Sequence, residues 1–341
     1  MARTELQQLG EFGLIDHLAQ HIHLQHPETL LGIGDDAAVI DQGNGLVTLV
    51  SKDLLVEGIH FDLHYTPLKH LGYKAIAVNV SDIAAMFGSP KQVLIGIAIS
   101  NVLAVEDIEA LYEGMRLACE DYKVDLVGGD TTSSKIGLVI SVTVLGTAKK
   151  EEVVYRNGAS ENDILCVTGD LGAAFAGLQI LEREKQVFLA HSEMQPELEN
   201  YEYVIERLLK PKARMDIVYE LKELGIQPTS MIDISDGLAS EVLHLCRASK
   251  TGCALFEDKI PIDSQTDQTL LELNIDPITA ALNGGEDYEL LFTIKQTDFE
   301  KLKNSEHIHF IGYMMEAAKG KKLATKGGNS IDLKAQGWTH M

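Results

Sequence analysis

Gly32-Ile33-Gly34-Asp35-Asp36-Ala37 keeps the G-x-G-x-x-A spacing of a dinucleotide-binding turn, and its surroundings decide the fold. In a doubly wound nucleotide-binding sheet, such a turn opens a helix whose N-terminus receives a pyrophosphate. Here the stretch Val39-Ile40-Asp41-Gln42-Gly43-Asn44-Gly45 follows, which reads as strand and turn. Two adjacent aspartates, Asp35 and Asp36, would also oppose a bare anion. The dinucleotide reading is rejected. What remains is a glycine-bearing turn that presents carboxylates.

The same combination recurs along the chain. Ser51-Lys52-Asp53, Asn79-Val80-Ser81-Asp82 and Gly128-Gly129-Asp130-Thr131-Thr132 follow in the first half. Asp233-Ile234-Ser235-Asp236-Gly237 and Gly284-Gly285-Glu286-Asp287 follow in the second. Each one alone has an ordinary explanation as a turn or a helix cap, Ser235-Asp236 included. Six of them, each after a strand-like or helical segment, point to one cleft holding divalent cations. Glycine allows close backbone approach, and loop carboxylates are hard oxygen ligands suited to Mg²⁺. The stretch 80–86 weakly echoes 234–239, as if two halves presented acidic groups to that cleft.

Between these clusters, apolar spacing predicts helices over 6–24, 68–86, 108–122, 173–184, 215–224 and 238–249, and one opening at 269–273. Strands are expected at 46–50, 93–99, 124–127, 137–146, 164–168, 231–234, 254–256 and 288–294. This mixture favours a mixed α/β and α+β build. The charge run Lys149-Lys150-Glu151-Glu152 is the best linker candidate, and 341 residues suffice for two domains.

The chain carries 29 basic and 51 acidic residues, a net charge of −22, which excludes a dedicated nucleic-acid binder. An acidic protein can still bind phosphorylated small molecules if metal cations lie between the partners. The apolar runs 93–99 and 138–145 are too short to cross a membrane. The opening residues lack a secretory pattern, and the scattered cysteines Cys119, Cys166, Cys246 and Cys253 suit a reducing compartment, so a cytoplasmic location is expected. No P-loop, protein-kinase signature or nucleophile elbow is present. His60 and His64 lie four apart in a segment that does not read as a helix, which makes a zinc pair a poor reading.

The ordered set of motifs resembles the thiamine-monophosphate kinase family. The resemblance rests on Gly-Ile-Gly-Asp-Asp-Ala at 32–37, Ser-Lys-Asp-Leu-Leu-Val-Glu-Gly-Ile-His-Phe at 51–61 and the helix 74–86. Val-Gly-Gly-Asp-Thr-Thr at 127–132, Asp-Ile-Ser-Asp-Gly-Leu at 233–238 and Gly-Gly-Glu-Asp-Tyr-Glu-Leu at 284–290 complete it. It implies a two-domain fold like aminoimidazole ribonucleotide synthetase: an N-terminal ATP- and metal-binding dimerisation domain (1–149) and a C-terminal α/β domain (150–341). It further implies a homodimer whose N-terminal sheets complete a barrel at the interface. The implied reaction is ATP-dependent phosphorylation of thiamine monophosphate to thiamine diphosphate by direct, in-line transfer with several Mg²⁺ ions and no general base.

Carried over residue by residue, Asp36, Ser51, Asp53, Asp82, Asp130, Asp233 and Asp236 resemble the metal-holding positions. Lys52 stands where the family usually has Thr. A side-chain ligand would be lost there and a backbone-carbonyl ligand kept; alternatively, its ammonium could meet a phosphate. Tyr112, Gly129, Asp130, Arg156 and Ser235 resemble the ATP contacts, and His60, Glu286 and Trp338 the contacts to the thiamine moiety. The rivals are a selenophosphate-synthetase-like enzyme of the same superfamily and a non-catalytic nucleotide-binding relative. Residues 1–31 contain no Cys, which disfavours the first, and intact acidic clusters in both halves disfavour the second.

Overall fold

The structure, a computed structural model, describes residues 6–336. Its first half runs α1 (Gly10–Ala19), β1 (Thr29–Leu31), β2 (Ala38–Gly43), β3 (Leu46–Val56), α2 (Leu68–Ala85), β4 (Ser89–Ser100), α3 (Val105–Tyr122), β5 (Asp125–Ser134) and β6 (Val139–Lys149). The six strands form one sheet in the order β1-β2-β3-β6-β4-β5, antiparallel except for the parallel β4–β5 pair.

The second half runs β7 (Ile164–Thr168), α4 (Ala173–Ala190), α5 (Glu202–Leu209), α6 (Met215–Glu223), β8 (Ser230–Asp233), α7 (Leu238–Ser249) and β9 (Gly252–Phe256). It continues through α8 (Ser264–Glu272), α9 (Pro277–Asn283), β10 (Leu290–Ile294), α10 (Phe299–Leu302), β11 (Ile308–Met315), β12 (Lys321–Ala324) and β13 (Ser330–Asp332). Its seven-stranded sheet is ordered β13-β12-β9-β11-β7-β10-β8. Mixed pairing within two sheets is what the expected mixture of α/β and α+β elements requires.

Period-two burial explains how the first sheet is used. In β3, Val47, Leu49, Ser51 and Leu55 are buried while Leu46, Lys52 and Leu54 are exposed. The buried face carries α2, which is enclosed on all sides from Leu71 to Ser81. A helix in that position should be apolar throughout; α2 nevertheless buries Lys74, Asn79 and Ser81. It lies against α3 closely enough that a Cβ on Gly72 would come within 1.9 Å of the Leu111 carbonyl oxygen, and one on Gly114 within 1.8 Å of that of Lys69. Glycine at both crossing points is therefore a steric requirement.

The core does not stop at residue 149. Met86, Ile83 and the sheet residues share one apolar cluster with Val153, Val154, Met215, Val218, Leu290 and Phe292, so the halves pack through α2 and α6. A second cluster gathers α7 with Leu165, Ile232, Leu255 and Ile311.

Several elements differ from expectation. The opening helix is confined to 10–19, after a short 3₁₀ turn, and buries none of its residues. Its expected apolar stripe (Leu9, Phe12, Ile15, Leu18) stays exposed, so periodicity there does not report a core contact. The expected strand 124–127 runs on to Ser134, which puts Gly128–Thr132 inside an edge strand rather than a turn. Residues 269–273 close α8 instead of opening a helix. The helix α5 and strands β11–β13 have no counterpart in the sequence reading.

Candidate active site

The cleft between the halves is built on three segments far apart in the chain. Asp36 lies in the turn before β2, Asp82 near the end of α2, and Asp233 is the last residue of β8. One carboxylate oxygen from each lies within 4.8 Å of the others. The polar side chains of α2 hold this geometry. Ser81 Oγ donates to Asp233 Oδ2 at 2.5 Å. Asn79 clips β3: its carbonyl oxygen accepts from Ser51 Oγ (3.0 Å), its Oδ1 from the Asp53 amide (3.1 Å), and its Nδ2 donates to the Ala75 carbonyl (3.1 Å). Ser51 and Asp53 therefore share the α2 side of β3.

The electrostatics record an excess of negative charge. Burial pushes Asp53 up to about 6, helped by Glu286 and Asp36 and opposed by Lys52. Burial, then Asp36 and Asp53, raise Asp233 to about 7 against the Ser81 hydrogen bond. Asp82 is driven well above the usual carboxylate range by burial and then by Asp53, Asp233 and Asp36. Arg156 is the cation these acids face: its Nη2 donates to Asp36 Oδ1 at 2.6 Å and its amide to both oxygens of Asp35 at 3.2 Å. Asp35 still rises to about 7 through burial and Asp36. Asp36 Oδ2 is buried and accepts no hydrogen bond. One guanidinium against five carboxylates, with an orphaned oxygen among them, fits a hard multivalent cation.

The remaining expected residues fall into three places. Ser235 and Asp236 continue from Asp233 into the turn before α7, where the Asp236 amide donates to the buried Glu241 at 2.8 Å. Glu286 faces them: its amide donates to the Ser235 carbonyl at 2.7 Å, and its side chain touches Lys74 and accepts from the Tyr288 hydroxyl at 3.1 Å. Gly285 makes that approach possible, since at φ +69° a Cβ would lie 2.4 Å from the Ser235 carbonyl oxygen. His60 sits in the turn after β3, its Nδ1 accepting from the Val56 amide at 3.0 Å, which leaves the proton of the neutral ring on Nε2.

Tyr112, Gly129 and Asp130 lie elsewhere. Gly129 and Asp130 are exposed on edge strand β5, paired with Ile95 and Gly96 of β4. Tyr112 of α3 lines an open groove of about 860 Å³ with Arg116, Cys119, Val124 and Leu126, where α3 leads into β5. Lys52 points to the opposite face of β3 from Ser51 and Asp53, and its ammonium meets Ser141 Oγ. Trp338 lies outside the described residues.

Sequence reasoning missed Lys74, Asn79, Ser81 and Glu241, and gave Asp35 no role of its own. The available signal was polarity inside an apolar helix: Lys74, Asn79 and Ser81 interrupt a segment otherwise rich in Ala, Val and Ile.

Comparison with known proteins agrees with this architecture. Residues 34–148 match the family model "AIR synthase related protein, N-terminal domain". The thiamine-monophosphate kinase of Bacillus subtilis (strain 168) is 36% identical over 337 residues, covering 97% of this chain and 99% of that protein. That of Aquifex aeolicus (strain VF5) is 35% identical over 333 residues, covering 94% and 98%. A solved structure described as AaThiL complexed with AMPPCP and TMP superposes with a TM-score of 0.84 at 33% identity, with both chains covered in full. On these grounds the chain belongs to the thiamine-monophosphate kinase family.

Proposed function

We infer that this protein is an ATP-dependent kinase that phosphorylates thiamine monophosphate to thiamine diphosphate. The observation that carries the reading is the convergence of Asp36, Asp82 and Asp233 from three distant segments within 4.8 Å. Such a cluster is costly in an enzyme that does not bind cations, because each buried like charge disfavours the next.

Asp36, Asp53, Asp82 and Asp233 are assigned to hold magnesium, with Ser51 and Asp236 as neighbouring positions and Asp130, which lies apart on β5, as a further one. Bound there, magnesium supplies positive charge between two anions that otherwise repel each other. Arg156, its guanidinium held on Asp36, offers its remaining N–H groups to ATP phosphate, and Ser235, two residues after Asp233, is assigned as a further ATP contact. Tyr112 lines the outer groove assigned to the nucleotide, and Gly129, farther along β5, is assigned to the nucleotide as well. Glu286, His60 and Trp338 are assigned to the thiamine moiety, where a carboxylate complements the cationic thiazolium ring.

The acceptor phosphate oxygen is already anionic near neutral pH, so the protein needs no general base. That oxygen bonds to the γ-phosphorus as the bond to the bridging oxygen breaks, and the electron pair leaves with ADP. Inversion at a chiral γ-phosphorus is expected; retention would require a phosphoenzyme and overturn the direct route. The first test is ADP release by the purified protein. It should require both thiamine monophosphate and Mg²⁺, and release without the acceptor would overturn the substrate assignment.

The division into residues 1–149 and 150–341 is kept as a functional one, the first carrying Asp36, Asp53, Asp82 and Asp130. A homodimer is supported by the outer face of the first sheet, where Ile40, Leu54 and Leu94 are exposed, and by the exposed Leu126 and Val127 on edge strand β5. Closing that sheet against a second copy would complete the barrel the family resemblance implies. No helix among the described residues is long and apolar enough to cross a membrane, and four buried free thiols suit the reducing cytoplasm as the place of reaction.

A further inference from the structure

Lys74 is 3% exposed in the middle of α2, although an ammonium ion is among the costliest groups to bury. Its position is not explained by the acids at the far end of the helix. Lys74 and Ser81 are seven residues apart, so they project from the same side of α2, two turns separated. Both reach into the C-terminal half: Ser81 to Asp233, and Lys74 to Glu286 Oε2.

Glu286 is thus gripped at each carboxylate oxygen, by Lys74 on one and by the Tyr288 hydroxyl (3.1 Å) on the other. Its backbone is equally constrained. Glu286 and Tyr288 adopt φ of 62° and 52°, a conformation that costs a non-glycine residue energy, while their amides donate to the Ser235 and Ile234 carbonyls at 2.7 and 2.9 Å. A carboxylate held at both oxygens has little freedom to turn, and its side chain remains 31% exposed. Without Lys74, Glu286 would face the charge of Asp53 with no cation to hold it in place.

We propose that Lys74 is a positioning residue that fixes the Glu286 carboxylate, across the two halves, in the orientation that receives the cationic ring of the acceptor. This rests on the assignment of Glu286 to the thiamine moiety. The role is specific to acceptor binding, because Lys74 contacts Glu286 and not the carboxylates assigned to the metal.

The test compares Lys74→Met, Lys74→Arg, Glu286→Gln and the double variant Lys74→Met/Glu286→Gln by steady-state kinetics, with thermal melts confirming folding. Lys74→Met should raise KM for thiamine monophosphate about tenfold or more while KM for ATP and kcat move less than about threefold. Lys74→Arg, which keeps the cation, should recover most of the loss. The double variant should be no worse than Glu286→Gln alone, since both remove the same contact. If Glu286→Gln raises that KM and Lys74→Met does not, or if the two effects add, the positioning role is overturned and the Glu286 assignment stands. Equal losses in both KM values and kcat, or a Lys74→Met protein that does not fold while Lys74→Arg is folded but no better for the acceptor, would reduce Lys74 to a structural part. If Glu286→Gln leaves the acceptor KM unchanged, the Glu286 assignment itself fails, and the inference with it.

Discussion

Two buried acidic clusters lie in this molecule, and they are built in opposite ways. At the cleft, Asp35, Asp36, Asp82 and Asp233 share the one guanidinium of Arg156, Asp53 lies beside them under the pull of Lys52, and one Asp36 oxygen accepts nothing. Where β7 ends and β10 begins, Glu289 forms an ion pair with Arg207 at 3.1 Å and accepts from Arg214 at 2.6 Å and from Thr168 at 2.5 Å. Asp170 takes Arg207 and Tyr203, and Asp287 accepts the Gly172 amide at the head of α4. The second cluster sets two arginines against three carboxylates, although Asp170 Oδ1 and Asp287 Oδ1 are buried without a partner there too and burial still raises Asp287 to about 7. The first sets one arginine against Asp35, Asp36, Asp82 and Asp233, so it leaves the larger share of its charge for something else to neutralise. Acidity alone does not mark a binding site; the balance of donors around it does.

The largest expected effect breaks the first cluster. Asp82→Asn should lower kcat by at least about a hundredfold, yet leave the metal-free protein as stable as the parent or more so, because one of several repelling charges is removed. Turnover and a thermal melt without magnesium check both halves of the statement. Near-normal turnover would remove Asp82 from the cleft chemistry.

The counterpart is Glu289→Gln. Removing the buried acid that two half-buried arginines share should cost roughly 3–5 kcal/mol of stability, read by urea denaturation, while turnover per folded molecule stays near normal. A variant as stable as the parent would show that the second cluster is not the brace described here.

A smaller effect separates the clusters by pH. Burial raises Asp53 to about 6 and Asp233 to about 7 in the first, and Asp287 to about 7 in the second. Unfolded aspartates titrate near 4. The folded protein therefore binds more protons than the unfolded chain between about pH 4 and 7, and stability falls as pH rises through that window. Saturating magnesium should flatten the part of the slope from Asp53 and Asp233 and leave the part from Asp287. Melting curves across that window, with and without the ion, should diverge toward neutral pH; parallel curves would place the ion elsewhere.

The smallest change expected is for Lys52→Thr, which restores the residue the family usually carries. Since the Lys52 ammonium lies on the face away from Asp53, kcat and both KM values should move less than about threefold. A larger gain in magnesium affinity would instead give that position a side-chain role.

Particular residues show how far the sequence could be read. The Gly-Asp and Ser-Asp clusters point to Asp36, Asp53, Asp82 and Asp233, which do face one another, and Ser81 of the echoed stretch 80–86 bonds Asp233, the residue just before its counterpart 234–239. Gly129 and Asp130 were read as a turn, and the structure puts them on an edge strand because β4 supplies their hydrogen-bond partners. The stripe from Leu9 to Leu18 has the right period, yet it stays exposed, with Phe12 stacked edge-on against His244 of α7 at 4.5 Å.

By itself, the sequence determined which residue types carry the chemistry and where strands and helices punctuate the chain, because turn glycines, carboxylates and apolar periodicity are local properties. Only the tertiary structure decided which acids share a cleft, why α2 buries a lysine, and which cluster receives two arginines. Those facts depend on pairs such as Lys74 with Glu286 and Arg156 with Asp36, 212 and 120 residues apart. Charge separation of that kind is fixed by packing, and no local pattern encodes it.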